Sequence, residues 1–207
     1  MIGRLIDIFV GCGAESINVI VNEQMTEVQD YLRALAASLP VSLNLKVKST
    51  PSSMHSFAEL SELMPQQGKF VLTTVDTIFR TDDFRRYVEA FDKADADAVM
   101  AVTSYIDDEK PLYVATSDSA ADALMRVDGF LDAAAPDVRY VSGGIYGLTG
   151  SAFKVLHKCL DEGVARMRNF QRALITGGLD VRAFDMGKIL DIDHASDLQK
   201  AEAYIAS

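Results

Sequence analysis

The sequence predicts an α/β domain in three layers, with helices on both faces of a mixed, mostly parallel sheet. Three observations predict it. Short apolar, β-branched runs recur along the chain, segments with helical spacing separate them, and 207 residues with 49% hydrophobic and 24% charged content suit one sizeable core. No repeat, linker or low-complexity stretch divides the chain, so a single domain is expected.

Ile2, Leu5, Ile6, Phe9 and Val10 recur at helical spacing, and Gly11 and Gly13 end the run, so the chain opens with a helix. Residues 16–21 alternate and are β-branched, 23–39 are helical, and 42–47 alternate again. A helix over 53–64 leads to residues 69–74, an apolar run of the kind buried on both faces of a parallel sheet, and a further helix starts near Thr81. Residues 97–103 read as the next central strand. The alternation then breaks into short extended pieces at 112–116 and 123–127, and a glycine-interrupted strand follows over 139–148. Helices over 151–160 and 164–175, a strand over 180–184 and a closing helix over 194–205 complete the chain. A doubly wound unit ordinarily places its first strand and phosphate-binding loop ahead of its first helix. Opening on a helix therefore leads us to expect a domain truncated at its N-terminus and missing its first strand.

A formal charge of −10 disfavours nucleic acid and anionic membranes as partners, because neither polyanion is drawn to such a field. A polyphosphate substrate would need a divalent cation as intermediary. Cys12 and Cys159 form no disulfide framework, no apolar run approaches a membrane span, and Asp7 interrupts the first apolar stretch, so a cytoplasmic protein is expected.

Asp76 ends the run Phe-Val-Leu-Thr-Thr-Val-Asp at 70–76, which places a carboxylate at the strand terminus where α/β sheets bind ligands; the alternative is a turn or cap role. Two further segments join it in order: Val-Ser-Gly-Gly-Ile-Tyr at 141–146, and Leu-Asp-Ile-Asp-His-Ala-Ser-Asp-Leu-Gln-Lys-Ala-Glu at 190–202. Together the three resemble the sugar-nucleotide pyrophosphorylases, a nucleotidyltransferase family, across nearly the whole chain. The resemblance implies a Rossmann-like, GT-A-like fold and transfer of a nucleoside monophosphate from an NTP to a sugar 1-phosphate with release of pyrophosphate. A nucleotide and a sugar phosphate are the implied partners, and a homo-oligomer is a further expectation.

The resemblance also implies Mg²⁺ held by Asp76 and Asp191, a hard ion that takes oxygen ligands. Asp193 stands where the family often has glycine, so either it or Asp191 faces the site. Ser142, Gly143 and Gly144 match the family's sugar-contacting segment, with a β-bulge as the alternative reading. Ser52 and Ser53 fall where the family places a nucleotide-binding loop, with a helix N-cap as the alternative. The family's glycine-rich loop with its arginine has no counterpart in these 207 residues. Lys188 stands three residues before Asp191 and reads as a surface lysine, and Arg166, Arg168 and Arg172 form the one basic cluster. The three histidines fall apart in the sequence and carry no assignment.

Overall fold

In the computed structural model, the residues described are 1–107, 110–117, 124–192, 194 and 197–206. Helix α1 (Ile2–Gly11) precedes strand β1 (Ser16–Val21), helix α2 (Thr26–Ala36), strand β2 (Ser42–Val47), helix α3 (Ser53–Ser61) and strand β3 (Lys69–Thr73). The two-residue strand β4 (Thr77–Ile78) follows, then α4 (Thr81–Lys93), β5 (Ala98–Thr103), β6 (Tyr113–Ser117), β7 (Met125–Leu131) and β8 (Tyr140–Thr149). Helices α5 (Ser151–Asp161) and α6 (Met167–Thr176), strands β9 (Val181–Asp185) and β10 (Leu190–Asp191), and helix α7 (Asp197–Ala206) close the chain.

The central sheet has six strands in the order β3-β8-β5-β9-β7-β6. Every residue of β5 is buried because the strand lies inside the sheet with a helical layer on either face. Its alternation divides the core. Ala98, Met100 and Val102 join Met54, Phe57, Phe153, Leu156, Phe170 and Leu174 from α3, α5 and α6. Val99 and Ala101 face Leu5, Ile8, Phe84, Tyr87 and Phe91 from α1 and α4. Tyr87, fully buried, satisfies its hydroxyl by donating to the Val99 carbonyl at 2.7 Å.

The expected mostly parallel sheet holds for direction but not for neighbours. From the ladders, β3, β5, β6 and β9 run one way and β7 and β8 the other. Because β8 inserts between β3 and β5, only β5–β9 is a parallel neighbouring pair in this sheet, among the described residues. Strands β1 and β2 form a separate parallel pair, and no ladder joins β1 to β3.

Element boundaries moved where side chains compete for backbone groups. Helix α2 starts at Thr26, later than residue 23, because Asn22 Oδ1 accepts from the Gln24 N–H at 3.0 Å and holds a turn there. The strand expected over 123–127 lies at Met125–Leu131, and residue 123 is outside the described residues. The pair β4–β10 was not expected at all. It packs under α7 through Ile78, Leu190 and Ala201, and it determines the geometry of the site.

Candidate active site

Strand β3 ends at Thr73, the chain turns through residues 74–76, and β4 then lies antiparallel to β10. In that ladder Asp191 stands opposite Thr77, and the Ile192 N–H donates to the Asp76 carbonyl at 3.1 Å. Two segments more than a hundred residues apart in the chain are thus sewn together at the point where each carries its aspartate. One carboxylate oxygen, Asp76 Oδ1, is buried and has no hydrogen-bond partner among the described residues. A buried unpaired carboxylate oxygen is costly, so this position invites a cation or a donor from a ligand.

Beneath the turn, β8 bulges against β5: Met100 pairs with Tyr146 and Val102 with Ser142, so three residues, Gly143, Gly144 and Ile145, face Ala101 alone. The bulge is why both glycines are there. Gly144 has φ +72°, and a Cβ on it would come within 3.0 Å of Thr77 Oγ1. A Cβ on Gly143 would strike Ile189 and crowd the Ala101 carbonyl. The glycines let the Thr74–Thr77 turn and the approach to β10 settle onto the sheet, where the two threonine hydroxyls bond each other at 3.1 Å. Gly143→Ala is accordingly expected to displace Ile189 and loosen β10, lowering stability by about 1–3 kcal/mol, as read by chemical denaturation.

Tyr146 of β8 is buried. Four residues earlier on the strand, Ser142 Oγ donates to Gln171 Oε1 at 3.0 Å, and Gln171 is itself buried on α6. Burial raises the Tyr146 pKa to about 12; the Ser142 hydroxyl opposes the rise, and the charges of Asp191 and Asp76 add to it. Both aspartates therefore act on one phenol. Its folded pKa lies above the ordinary value near 10, so the folded state retains the proton longer. Tyr146 should contribute stability below pH 10 that is lost between pH 10 and about 12. Tyr146→Phe is expected to flatten that part of the alkaline stability curve, measured by denaturant titration at each pH.

A scan of family models and a search of curated proteins return no match. Solved structures do match, and they decide the fold. An inositol-1-phosphate CTP transferase from T. maritima superposes with a TM-score of 0.75 at 19% identity, over 97% of this chain and 80% of that one. A Bacillus anthracis protein described as a glucose-1-phosphate thymidylyltransferase gives 0.77 at 20% identity, over 98% and 81%. A UDP-glucose pyrophosphorylase solved with UDP-glucose gives 0.76 at 13% identity, over 98% and 85%. The chain has the fold of these nucleotidyltransferases.

Of the residues singled out in the sequence, Asp76 and Asp191 are brought to one ribbon, and Gly143 and Gly144 lie directly under it. Ser142 precedes them on β8 and bonds Gln171 of α6. Ser53 lines a cavity of about 600 Å³ that also reaches Thr74, Val75 and Tyr146. Asp76, next to Val75 in the chain, is not among its lining residues. Ser52 occupies the N-cap position of α3, yet its hydroxyl bonds His55 Nδ1 at 2.8 Å and makes no capping bond. Asp193 lies outside the described residues.

Lys188 is less solvated than expected: its ammonium rests 4.3 Å from the Tyr105 ring and 5.2 Å from the Tyr204 ring. Arg168 and Arg172 both reach Asp132, at 3.0 and 2.7 Å, and so tie α6 to the end of β7. Tyr146 and Gln171 escaped the sequence reading, although Tyr146 stands inside a motif singled out there. No helix among the described residues is long and apolar enough to cross a membrane.

Proposed function

We propose that this chain is a nucleotidyltransferase domain that transfers a nucleoside monophosphate from an NTP to a sugar 1-phosphate. The observation that carries the proposal is the β4–β10 bridge, which holds the Asp76 and Asp191 segments side by side with Asp76 Oδ1 buried and unpaired. In the reaction a sugar-phosphate oxygen attacks the α-phosphorus, the bond from that phosphorus to the bridging oxygen breaks, and pyrophosphate leaves.

The donor set fits Mg²⁺, a hard ion usually held by one or two protein carboxylates together with substrate phosphates and water. No larger cluster of His, Cys, Asp or Glu that could serve a metal occurs among the described residues. When bound, the ion neutralises phosphate charge and favours in-line geometry. Asp76 and Asp191 would hold it. The Ser142–Gln171 hydrogen bond ties β8 to α6 behind the site, and the Gly143–Gly144 backbone leaves room for a ligand beside the turn. Ser53 contacts the nucleotide from the far side of the cavity, with Ser52 positioning that end of α3.

Pyrophosphate release, measured over a panel of NTPs and sugar 1-phosphates with Mg²⁺, tests the reading. Silence across the panel, together with no binding of any nucleotide diphosphate sugar, would reject it. A second reading, a catalytically inactive module that binds a sugar nucleotide, draws on one observation: among the described residues, no lysine or arginine lines the 600 Å³ cavity. A triphosphate needs cations around it. Calorimetry showing Mg²⁺-dependent binding of a nucleotide diphosphate sugar without turnover would favour that module.

A further inference from the structure

The ribbon that carries the two aspartates is too short to hold itself. Strands β4 and β10 pair over two residues each, Ile78 with Leu190 and Thr77 with Asp191, and an isolated two-stranded ribbon is marginal in water even when longer. Helix α7 supplies what the ladder lacks. Ala201 packs on Ile78 and Leu190, and Tyr204, three residues on, reaches past the end of the ribbon. Its hydroxyl donates to the Lys188 carbonyl at 2.6 Å, a bond that closes a loop of chain from 188 to 204 with Asp191 inside it. Its ring lies 5.2 Å from the Lys188 ammonium and 5.1 Å from the Arg80 guanidinium.

Those two cations stand where the register puts them. Counting on from Ile78 and Leu190, the antiparallel ladder sets Arg80 opposite Lys188, two positions beyond the last pair. Like charges so placed repel, and a ring face that both approach offsets the repulsion. At the other end of the ribbon the Ile192 N–H donates to the Asp76 carbonyl. The aspartates thus occupy one end, and Tyr204 grips the other.

We propose that Tyr204 is a positioning residue for the candidate ion site: by anchoring the Lys188 carbonyl and seating Arg80 and Lys188 against its ring, it fixes β10 against β4 and holds the Asp191 carboxylate in register with Asp76. The inference rests on the reading of these two aspartates as ligands of one ion, and it gives Tyr204 no contact with that ion or with a substrate. Asp191 is exposed, so its placement depends on how its backbone is held. An ion that demands near-ideal octahedral geometry tolerates little drift between ligands from two separate segments.

The test compares Tyr204→Phe, which keeps the ring and removes the hydroxyl, with the unchanged protein. Hydrogen exchange at the Ile192 amide reads the ribbon, exchange across β5 reads the whole fold, and Mn²⁺ binding followed by electron paramagnetic resonance reads the ion site without any need for activity. One hydrogen bond shifts an equilibrium about fivefold. Exchange at Ile192 is therefore expected to quicken about fivefold with β5 unchanged, and Mn²⁺ to bind about threefold to fivefold more weakly. In an Asp191→Asn background the same change should have no further effect on Mn²⁺ affinity, because no carboxylate is left there to place.

Unchanged exchange at Ile192 overturns the proposal. So does faster exchange with undiminished Mn²⁺ affinity, or an equal loss of affinity with and without Asp191. Faster exchange across β5 as well would make Tyr204 a general stabiliser, which also overturns it. If the unchanged protein binds no Mn²⁺, the shared ion of the proposed function fails first and the positioning role falls with it; in the other failures the ion site stands and the role of Tyr204 alone is lost.

Discussion

Asp76→Asn is expected to cut pyrophosphate release at least about 100-fold while leaving the melting temperature unchanged or slightly raised. The two halves of that expectation have one cause. Asp76 Oδ1 is buried without a hydrogen-bond partner among the described residues, so substitution breaks no hydrogen bond of the fold at that oxygen, whereas a bound cation would lose a ligand. Asparagine preserves the shape, removes the charge and leaves the carbonyl that accepts from Ile192 in place. Asp191→Asn should produce a loss of similar size. If the two carboxylates share one ion, the double variant will be little worse than either single one, because each removal already abolishes the same interaction. Losses that simply multiply would separate the two aspartates into independent roles. If the protein proves to bind without turnover, the same cycle is read in the Mg²⁺-dependent affinity for a nucleotide diphosphate sugar.

That ribbon is also where sequence reading reached its limit. Strands β1 and β2 were legible to the residue because six alternating or β-branched positions in a row leave a period, and β5 was legible because both its faces are buried. Two-residue strands have no period. Nothing in Thr77–Ile78 or Leu190–Asp191 announces that they pair, so the ladder that sets the Asp76 and Asp191 segments side by side was not legible in the sequence. Tyr146 stood in a recognised motif, but alternation along β8 reveals only that it is buried. The Ser142–Gln171 bond behind it spans 29 residues and depends on how α6 packs.

Phe57→Ala should be the most damaging single truncation in the core. The ring is 1% exposed and lies 5.9 Å from Phe70, 6.1 Å from Phe153 and 5.6 Å from Phe170, so it ties α3 to β3, α5 and α6 together. Phenylalanine-to-alanine changes at such sites cost about 3–5 kcal/mol, a large part of the 5–15 kcal/mol that holds a domain together. The corresponding fall in melting temperature is about 6–20 °C for a chain of this size. Phe57 also lines the 600 Å³ cavity, so the space left by its ring would merge with a void already present instead of closing around itself. Little collapse can then offset the lost contacts, which places the expected loss toward the upper end of the range. Phe57→Leu, which keeps most of the apolar volume, should cost well under half as much. A loss below about 1 kcal/mol for the alanine variant would mean that α3 is held elsewhere and that the cavity it borders can close without it.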